Sequence, residues 1–500
     1  MMPPKSSLLS RMNIGQVLLI GLIFRLLAVF FSKGYAFHDD HFEMAELVQR
    51  WREGISFLWT GSNVHVFSLI YPGFLYLLFE ACHAVGLHSP EQIMFVVRLV
   101  HALFSLLSIY YAYKLTLRIT DQHDTSILVA LSMAIFWIFP FMSVRNLREF
   151  VCIPFLLMGS YYIADPKFSF RSIFLAAFFF ALAFSIRLQI LFIPLGIGIF
   201  LLFQKEQLKK AIVFGIFSGV AFMLTQGLFD GVYYGNPFAS IIEYMRFNSD
   251  KTNIEIQPQG PWYQYIGTVA GVVWGLPFLL LVAGYIYSAK MNTGVKMFFF
   301  GSLLFFAFHS YYSNKQERFI LPFLPYFLML GIIGFRDYYH YNLNKKWLRK
   351  TTRFITGWFI IFNAVALCVL SVTYTKRSRV EAMAYLRKKG DMTNIIMESE
   401  NGSPRPPLFY LGKQINFYEL RMSDSLPVAN NYIPSSVNPS PNYIIMSGDN
   451  QLEKRLTRLK ILYPTLRFET NATPSLIDNF AYRLNPKHNE NETWHIYRID

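Results

Sequence analysis

Cysteine is scarce in this chain, and its scarcity excludes a good deal. Cys82, Cys152 and Cys368 each lie inside an apolar run, where a thiol behaves as a small core residue. They offer neither a disulfide framework nor metal-ligand spacing. Charge is scarce too: 15% of the 500 residues are charged, against about 25% in soluble domains. The acidic sign is the scarcer one, 31 residues against 46 basic, for a formal charge of +15. The chain has no Walker-type phosphate loop and no dinucleotide glycine turn, so a soluble nucleotide has no cradle. No small-residue cleavage site follows the first apolar run, which is therefore expected to be a retained span. Internal repeats and low-complexity tracts are absent, which speaks against the repeated halves of many transporters. His38 and His41 lie three apart without further ligands at zinc spacing, so neither a metal nor another cofactor is expected.

What is abundant is apolar and aromatic: 53% of residues are hydrophobic and 18% aromatic. This composition predicts a polytopic α-helical membrane protein. A span needs roughly 20 apolar residues. The candidates are 14–32, 93–117, 126–142, 150–164, 172–186, 188–203, 211–229, 264–288, 297–313, 319–335 and 354–374, eleven in all. The run 67–87 opens on Tyr71-Pro72-Gly73 and carries Glu80 and His83, and is expected not to span. With it omitted and the N-terminus inside, Lys114, Arg118, Lys167, Arg171, Lys205, Lys209, Lys210, Lys290, Lys296 and the basic stretch Arg336–Arg353 all fall in cytoplasmic loops. That is the positive-inside pattern. It accounts for the net charge through membrane lipids, with no nucleic-acid partner.

The same parity gathers other polar residues on the outer face. A first outer loop, 33–92, carries Phe37-His38-Asp39-Asp40-His41-Phe42-Glu43 and then Glu46. Arg145-Asn146-Leu147-Arg148-Glu149, Arg187, the stretch Asp230 to Trp262, and Asn314-Lys315-Gln316-Glu317-Arg318 join it. Ionisable groups at membrane depth usually face a cavity or one another. Residues 1–375 thus read as a transmembrane domain, and 376–500 as a small extracytoplasmic α/β domain. Within the latter, 379–389 and 451–460 read as helices, 442–447 and 493–498 as strands. Asn471-Ala-Thr and Asn491-Glu-Thr match the glycosylation sequon. A cysteine-free outer domain leans towards a bacterial inner membrane, with the endoplasmic reticulum as the alternative.

Carboxylates beside several cations suit transfer of a sugar from a lipid-linked phosphate. A general base takes the proton of the acceptor hydroxyl, and Asp39 or Asp40 can supply it, with Glu46 close by. Cations stabilise the departing phosphate, and Lys315, Arg318, Arg187 and Arg145 can supply those. Arg suits bidentate phosphate binding, Lys point-charge neutralisation.

Order and spacing of these motifs over residues 37–325 resemble the GT-C superfamily of integral-membrane glycosyltransferases, most closely glycosyltransferase family 22. Its first outer loop bears His-Pro-Asp-Glu-x-Phe-Gln-x-x-Glu. Here the acidic pair, Phe42 and Glu46 match, while the leading His-Pro and the Gln are not kept and the second acid is Asp. Asn146-Leu-Arg-Glu149 is similar to the family's Asn-x-x-Glu, and Arg187 to its following Arg. Asp230-Gly-Val-Tyr233-Tyr234-Gly235, then Asn248 and Trp262-Tyr263, are similar to a further segment. Asn314-Lys315-Gln316-Glu317-Arg318-Phe319 with Pro322 and Pro325 resembles His-Lys-Glu-x-Arg-Phe-x-x-Pro. The resemblance implies the GT-C fold and an inverting transferase using a polyprenyl-phosphate sugar, usually mannose, and a glycan or glycolipid acceptor. It implies Asp39 as base, with Asp40 and Glu46 beside it, and no metal requirement. It implies substrate contacts from His38, His41, Asn146, Glu149, Asp230, Tyr233, Asn248, Trp262, Tyr263 and Glu317. Reaction on the outer, periplasmic side follows from the same parity. The alternative from another class is a transporter or flippase of lipid-linked sugars.

Overall fold

The computed structural model describes residues 8–54, 65–399, 404–421, 440–484 and 492–499. Its helices follow the apolar runs. Among the described residues, six are long and apolar enough to cross a membrane: Ile14–Phe31, Pro90–Thr120, Lys205–Tyr234, Thr293–Tyr311, Glu317–Tyr341 and Lys346–Leu370. A bent pair, Gln264–Val272 and Leu276–Ser288, makes up to seven if counted as one span. The remaining candidates of the eleven are shorter helices: His123–Ile135, Ile153–Ile163, Phe170–Ile186 and Leu188–Leu202. The run expected not to span forms Ile70–Ala84, 15 residues.

The chain divides into two compact units. One comprises Met1–Val29, Leu58–Phe74 and Arg98–Ser371; the other comprises Phe30–Phe57, Leu75–Val97 and Val372–Asp500.

In the first unit, close helix packing rests on small residues, as membrane helices require where no hydrophobic force draws them together. A Cβ on Gly334 would lie 2.0 Å from the carbonyl oxygen of Gly284, so helices Leu276–Ser288 and Leu324–Tyr341 meet backbone to backbone there. The bent pair turns by 114° because two consecutive residues, Trp274 and Gly275, have φ of 65° and 74°. A broken helix leaves carbonyls that the bilayer cannot satisfy. Two indoles satisfy them: Trp137 Nε1 donates to Val272 O at 3.0 Å and Trp358 Nε1 to Trp274 O at 3.0 Å. Arg25, inside the first span, is 1% exposed. Its guanidinium donates to Ser105 Oγ at 2.7 Å and to the carbonyls of Met133 and Ala134, the partnering a buried charge demands.

The second unit holds a five-stranded sheet: β1 (Asn394–Ser399), β2 (Phe417–Arg421), β3 (Pro441–Ser447), β4 (Leu466–Ala472) and β5 (Trp494–Ile499). Their order is β2-β1-β3-β5-β4. β1 runs parallel to β2 and β3, and β5 antiparallel to β3 and β4. The expected helices appear at Arg377–Lys389 and Leu452–Leu462, and the expected strands are β3 and β5. Strands β1, β2 and β4 and helix Leu476–Leu484 add to them. Alternate side chains Ile396, Ile444, Met446 and Tyr497 pack with Leu459 on one face, the period-2 logic of a sheet covered by helices. Asn471 lies on edge strand β4 and pairs with His495 at 2.8 Å; Asn491 lies outside the described residues.

Two features brace this unit. Glu398 of β1 and Arg455, both buried, meet at 2.5 Å, and Arg455 also donates to the carbonyls of Ser447, Gly448 and Asn450. On the surface, Glu469 accepts from Lys389 at 2.7 Å and Tyr385 at 2.8 Å. Those hydrogen bonds, Lys389 first, lower its pKa from 4.5 to about 2. A carboxylate favoured in the folded state contributes stability above its unfolded pKa and loses it as the pH falls through the folded one. The unfolding midpoint of the unit is therefore expected to drop between about pH 4.5 and 2. Glu469→Gln should flatten that step in a denaturant titration repeated across pH.

Candidate functional site

In the first unit a carboxylate is held between two guanidiniums. Glu149 sits in the short helix Arg148–Val151 and is fully buried. Its Oε1 lies 3.1 Å from Arg187 Nη2 and 3.8 Å from Arg318 Nε. Arg187 is placed by a break: helix Phe170–Ile186 ends on it with extended backbone, φ −145°. Arg318 is the second residue of the tight turn Glu317–Phe323, which contains Pro322. The Gln316 side chain accepts from Arg318 Nε at 2.9 Å and Nη2 at 2.7 Å. The ring of Phe319 carries both guanidiniums, 4.6 Å from Arg187 and 5.3 Å from Arg318, an aromatic face that favours cations. Arg145 lies over Phe141 and Arg148 over Phe67. Asn146 is buried beside them, and its Oδ1 accepts no hydrogen bond among the described residues.

Lys315 is placed differently. Its ammonium donates to the carbonyls of His309 at 2.8 Å, Ser310 at 3.0 Å and Tyr312. These are C-terminal carbonyls of helix Thr293–Tyr311, the negative end of its dipole. An ammonium has three donors, and all three are engaged. Burial lowers its pKa. Around it, the loop after Ile256 pairs with 313–315: Lys315 N donates to Pro258 O and Gly260 N to Ser313 O. Gly260 leaves room there: a Cβ would fall 1.8 Å from Gln264 Oε1 and 2.7 Å from Lys315 Cγ, so both side chains would have to shift.

Other expected contacts of this unit fall into two groups. Asp230 is buried and spends both oxygens internally, accepting from Gln226, Ser240 N and Ser240 Oγ at 2.7–2.9 Å. It thereby ties its own helix to the start of Ala239–Ser249. Asn248 bonds to Tyr244 O and to Tyr312 Oη. By contrast Tyr233, Trp262 and Tyr263 are well exposed, as is Glu317.

In the second unit the acidic motif folds as one helical turn, His38–Asp40, then a wide π-turn, His41–Ala45, then helix Glu46–Arg52. Inserted π-turns mark functional sites often enough to be noted. Asp40 is buried, and its carboxylate accepts from Ala36 N at 3.0 Å and Phe37 N at 3.1 Å. It satisfies amides that a helix start leaves unpaired. Asp39 lies in the same turn. His38 stacks on Phe42 at 4.3 Å. His41 is sandwiched between Tyr35 at 4.6 Å and Tyr410 at 5.3 Å, its Nε2 3.6 Å from Glu46 Oε1. Glu46, fully buried, faces Arg405 Nη2 at 3.4 Å and Phe409 N at 3.4 Å. Arg405 lies over Phe42 at 4.7 Å.

Residues Arg405, Phe409 and Tyr410 carry no motif and no periodicity, so sequence reasoning passes over them. Their only signal is a lone Arg between prolines, Pro404-Arg405-Pro406-Pro407.

The profile of the Alg9-like mannosyltransferase family matches residues 16–401. Mannosyltransferase APTG1 of Arabidopsis thaliana is 24% identical over 331 residues, 64% of this chain and 58% of that protein. GPI mannosyltransferase 3 of Candida glabrata is 20% identical over 35% of this chain and 28% of its own length. The chain thus spans less than two thirds of these relatives. Among solved structures, ArnT from Cupriavidus metallidurans bound to undecaprenyl phosphate superposes with a TM-score of 0.59 at 13% identity, covering 97% of this chain and 98% of that one. Archaeal oligosaccharyltransferase AglB from Archaeoglobus fulgidus gives 0.55 at 12%, over 88% and 70%. The fold is that of these GT-C enzymes, and the protein is a multi-pass membrane protein.

Proposed function

Because the chain belongs to the Alg9-like mannosyltransferase family, we propose that it transfers a sugar, mannose by preference, from a polyprenyl-phosphate carrier to a glycan or glycolipid acceptor. The acceptor hydroxyl attacks C1 of the donor sugar and gives its proton to the carboxylate of Asp39. The bond from C1 to the phosphate oxygen breaks, and polyprenyl phosphate leaves with the electron pair. Configuration inverts. No cofactor takes part.

The observation that carries this reading is the pairing of Arg187 and Arg318 across one buried carboxylate. A planar guanidinium grips phosphate with two donors, and two held in register are preorganised for a dianion without reorganisation at the moment of reaction. Glu149 keeps them fixed. Lys315 anchors the helix end and adds positive charge; Arg145 and Asn146 complete the polar wall. His38, Tyr233, Trp262 and Tyr263 offer surfaces to the sugars.

An apolar cleft of about 420 Å³ lies between helices Phe170–Ile186, Phe192–Leu202 and Leu208–Phe222. Phe184 and Leu191, on either side of Arg187 in the chain, line it. We assign it to the isoprenoid chain. The undecaprenyl phosphate held by ArnT supports a carrier of this kind. The active site faces the periplasm of a bacterial inner membrane; its counterpart in a eukaryote is the lumen of the endoplasmic reticulum.

Purified protein offered a panel of polyprenyl-phosphate sugars and nucleotide sugars should consume one of the lipid-linked donors and form an inverted glycoside. Use of a nucleotide sugar with no lipid present overturns the reading.

A further inference from the structure

None of the roles above absorbs a polar cleft in the second unit. Its inner part, about 190 Å³, lies against Gln49, Arg52 and Glu53, with Phe79 and Phe409 in its wall. Its outer part, about 410 Å³, continues past Arg387 and Lys413. His88, Pro90 and Gly412 belong to both walls, so the two form one passage. An outer part of that size lies within the range of small-molecule sites.

Among the described residues, two polar atoms in this wall are unspent. Gln49 is 7% exposed and donates Nε2 to Glu53 at 2.8 Å, while its Oε1 accepts no hydrogen bond from any of them. Arg387 donates Nη2 to Glu91 at 2.8 Å, while its buried Nη1 has no acceptor among them. Buried polar atoms are rarely left so, and an acceptor and a donor thus await a ligand that offers both.

The charges of the cleft balance. Arg52 meets Glu80 at 2.5 Å and Arg387 meets Glu91 at 2.7 Å, while Glu53 in the wall offsets Lys413, whose ammonium donates to Met392 O at 2.6 Å. A lining with no cationic excess suits hydroxyl groups better than an anion. The histidines add a donor. Arg52 can only donate, so at 2.6 Å His83 Nε2 accepts from it. His83 then carries its proton on Nδ1 and gives it to His88 Nδ1 at 2.8 Å, which leaves the N–H of His88 at Nε2.

The cleft also adjoins the acidic motif. Gln49 stands one turn after Glu46 on the same helix. Phe409 gives its amide to Glu46 while its ring meets Phe79 at 5.5 Å.

We propose that this cleft binds pyranose units of the acceptor glycan next to the one that reacts, through Gln49, Arg387 and His88. Its identity as an acceptor site rests on the transferase reading; its affinity for neutral sugars does not. The test is direct binding of α-mannotriose to the purified full-length chain in detergent, by saturation-transfer NMR, with mannose 6-phosphate as the anionic comparison. Saturable binding of mannotriose is expected, weakened about fivefold or more by Gln49→Ala and by Arg387→Gln, with unchanged unfolding midpoints. Arg387→Gln lies at the rim and keeps the test open where Gln49→Ala fails to fold. Absent binding, equal binding by wild type and both variants, or preference for the phosphorylated sugar overturns the proposal. Binding without transfer from any lipid-linked donor overturns the transferase reading and leaves the cleft standing. Transfer without mannotriose binding does the reverse.

Discussion

Asp39→Asn is expected to reduce sugar transfer by about 10²–10⁴-fold, the usual contribution of a positioned general base. Expression and membrane insertion should be unchanged, since Asp39 lies in the short turn His38–Asp40, outside every candidate span. The neighbouring acid gives the control. The Asp40 carboxylate is committed to the amides of Ala36 and Phe37, so Asp40→Asn acts mainly through the turn and is expected to cost about 1 kcal/mol, like loss of a helix cap. Transfer assays on membranes normalised for protein content read both. Substantial transfer by Asp39→Asn, with loss in Glu46→Gln, would move the base to Glu46 despite its ties to Arg405 and Phe409.

The second large effect concerns stability. Arg455→Met strands the buried Glu398 carboxylate and three carbonyls that the guanidinium now serves. Breaking one side of a buried pair costs about 3–5 kcal/mol. Glu398→Leu alone leaves a buried cation and should cost a similar amount. The double variant Arg455→Met, Glu398→Leu should lose much less than the two together, because partners in contact are not additive. Pulse proteolysis of the full-length chain in graded urea measures all three. Additive losses would show that the pair contributes little beyond its separate neighbours.

The eleven apolar runs are legible because length and hydropathy suffice to mark them, and each coincides with a helix or helix pair. Hydropathy does not report length in three dimensions, so 126–142 breaks at Phe136 and 264–288 bends at Trp274. Strands β3 and β5 are legible as short apolar runs. β2 (Phe-Tyr-Glu-Leu-Arg) and β4 (Leu-Arg-Phe-Glu-Thr-Asn-Ala) are edge strands with polar residues on an open face, and their pattern resembles a loop. In the site, the residue types of Asn146, Glu149, Arg187 and Arg318 are legible from motif order. What each polar atom is spent on is not. Lys315 reads as a phosphate ligand from sequence, which does not show its ammonium on the carbonyls of a helix end; Asp230 reads as a substrate contact, and sequence does not show both its oxygens accepting inside the protein. Nothing local to His41 announces Tyr410, and residues 405–410 lie beyond the stretch that the family profile matches.

The ties of the acidic motif to that distant segment set an order of events during synthesis. Glu46 waits for Arg405, 359 residues later, and Thr375 bonds the carbonyls of Lys33 and Tyr35 across 340 or more. At about 5–20 residues per second, the ribosome delivers those partners roughly 20–70 s after the motif itself. Through that interval a carboxylate and an imidazole that end fully buried remain solvated, beside spans already inserting. Under the proposed function, a chain cut before residue 405 lacks the partners of Glu46 and is expected to be inactive in a transfer assay.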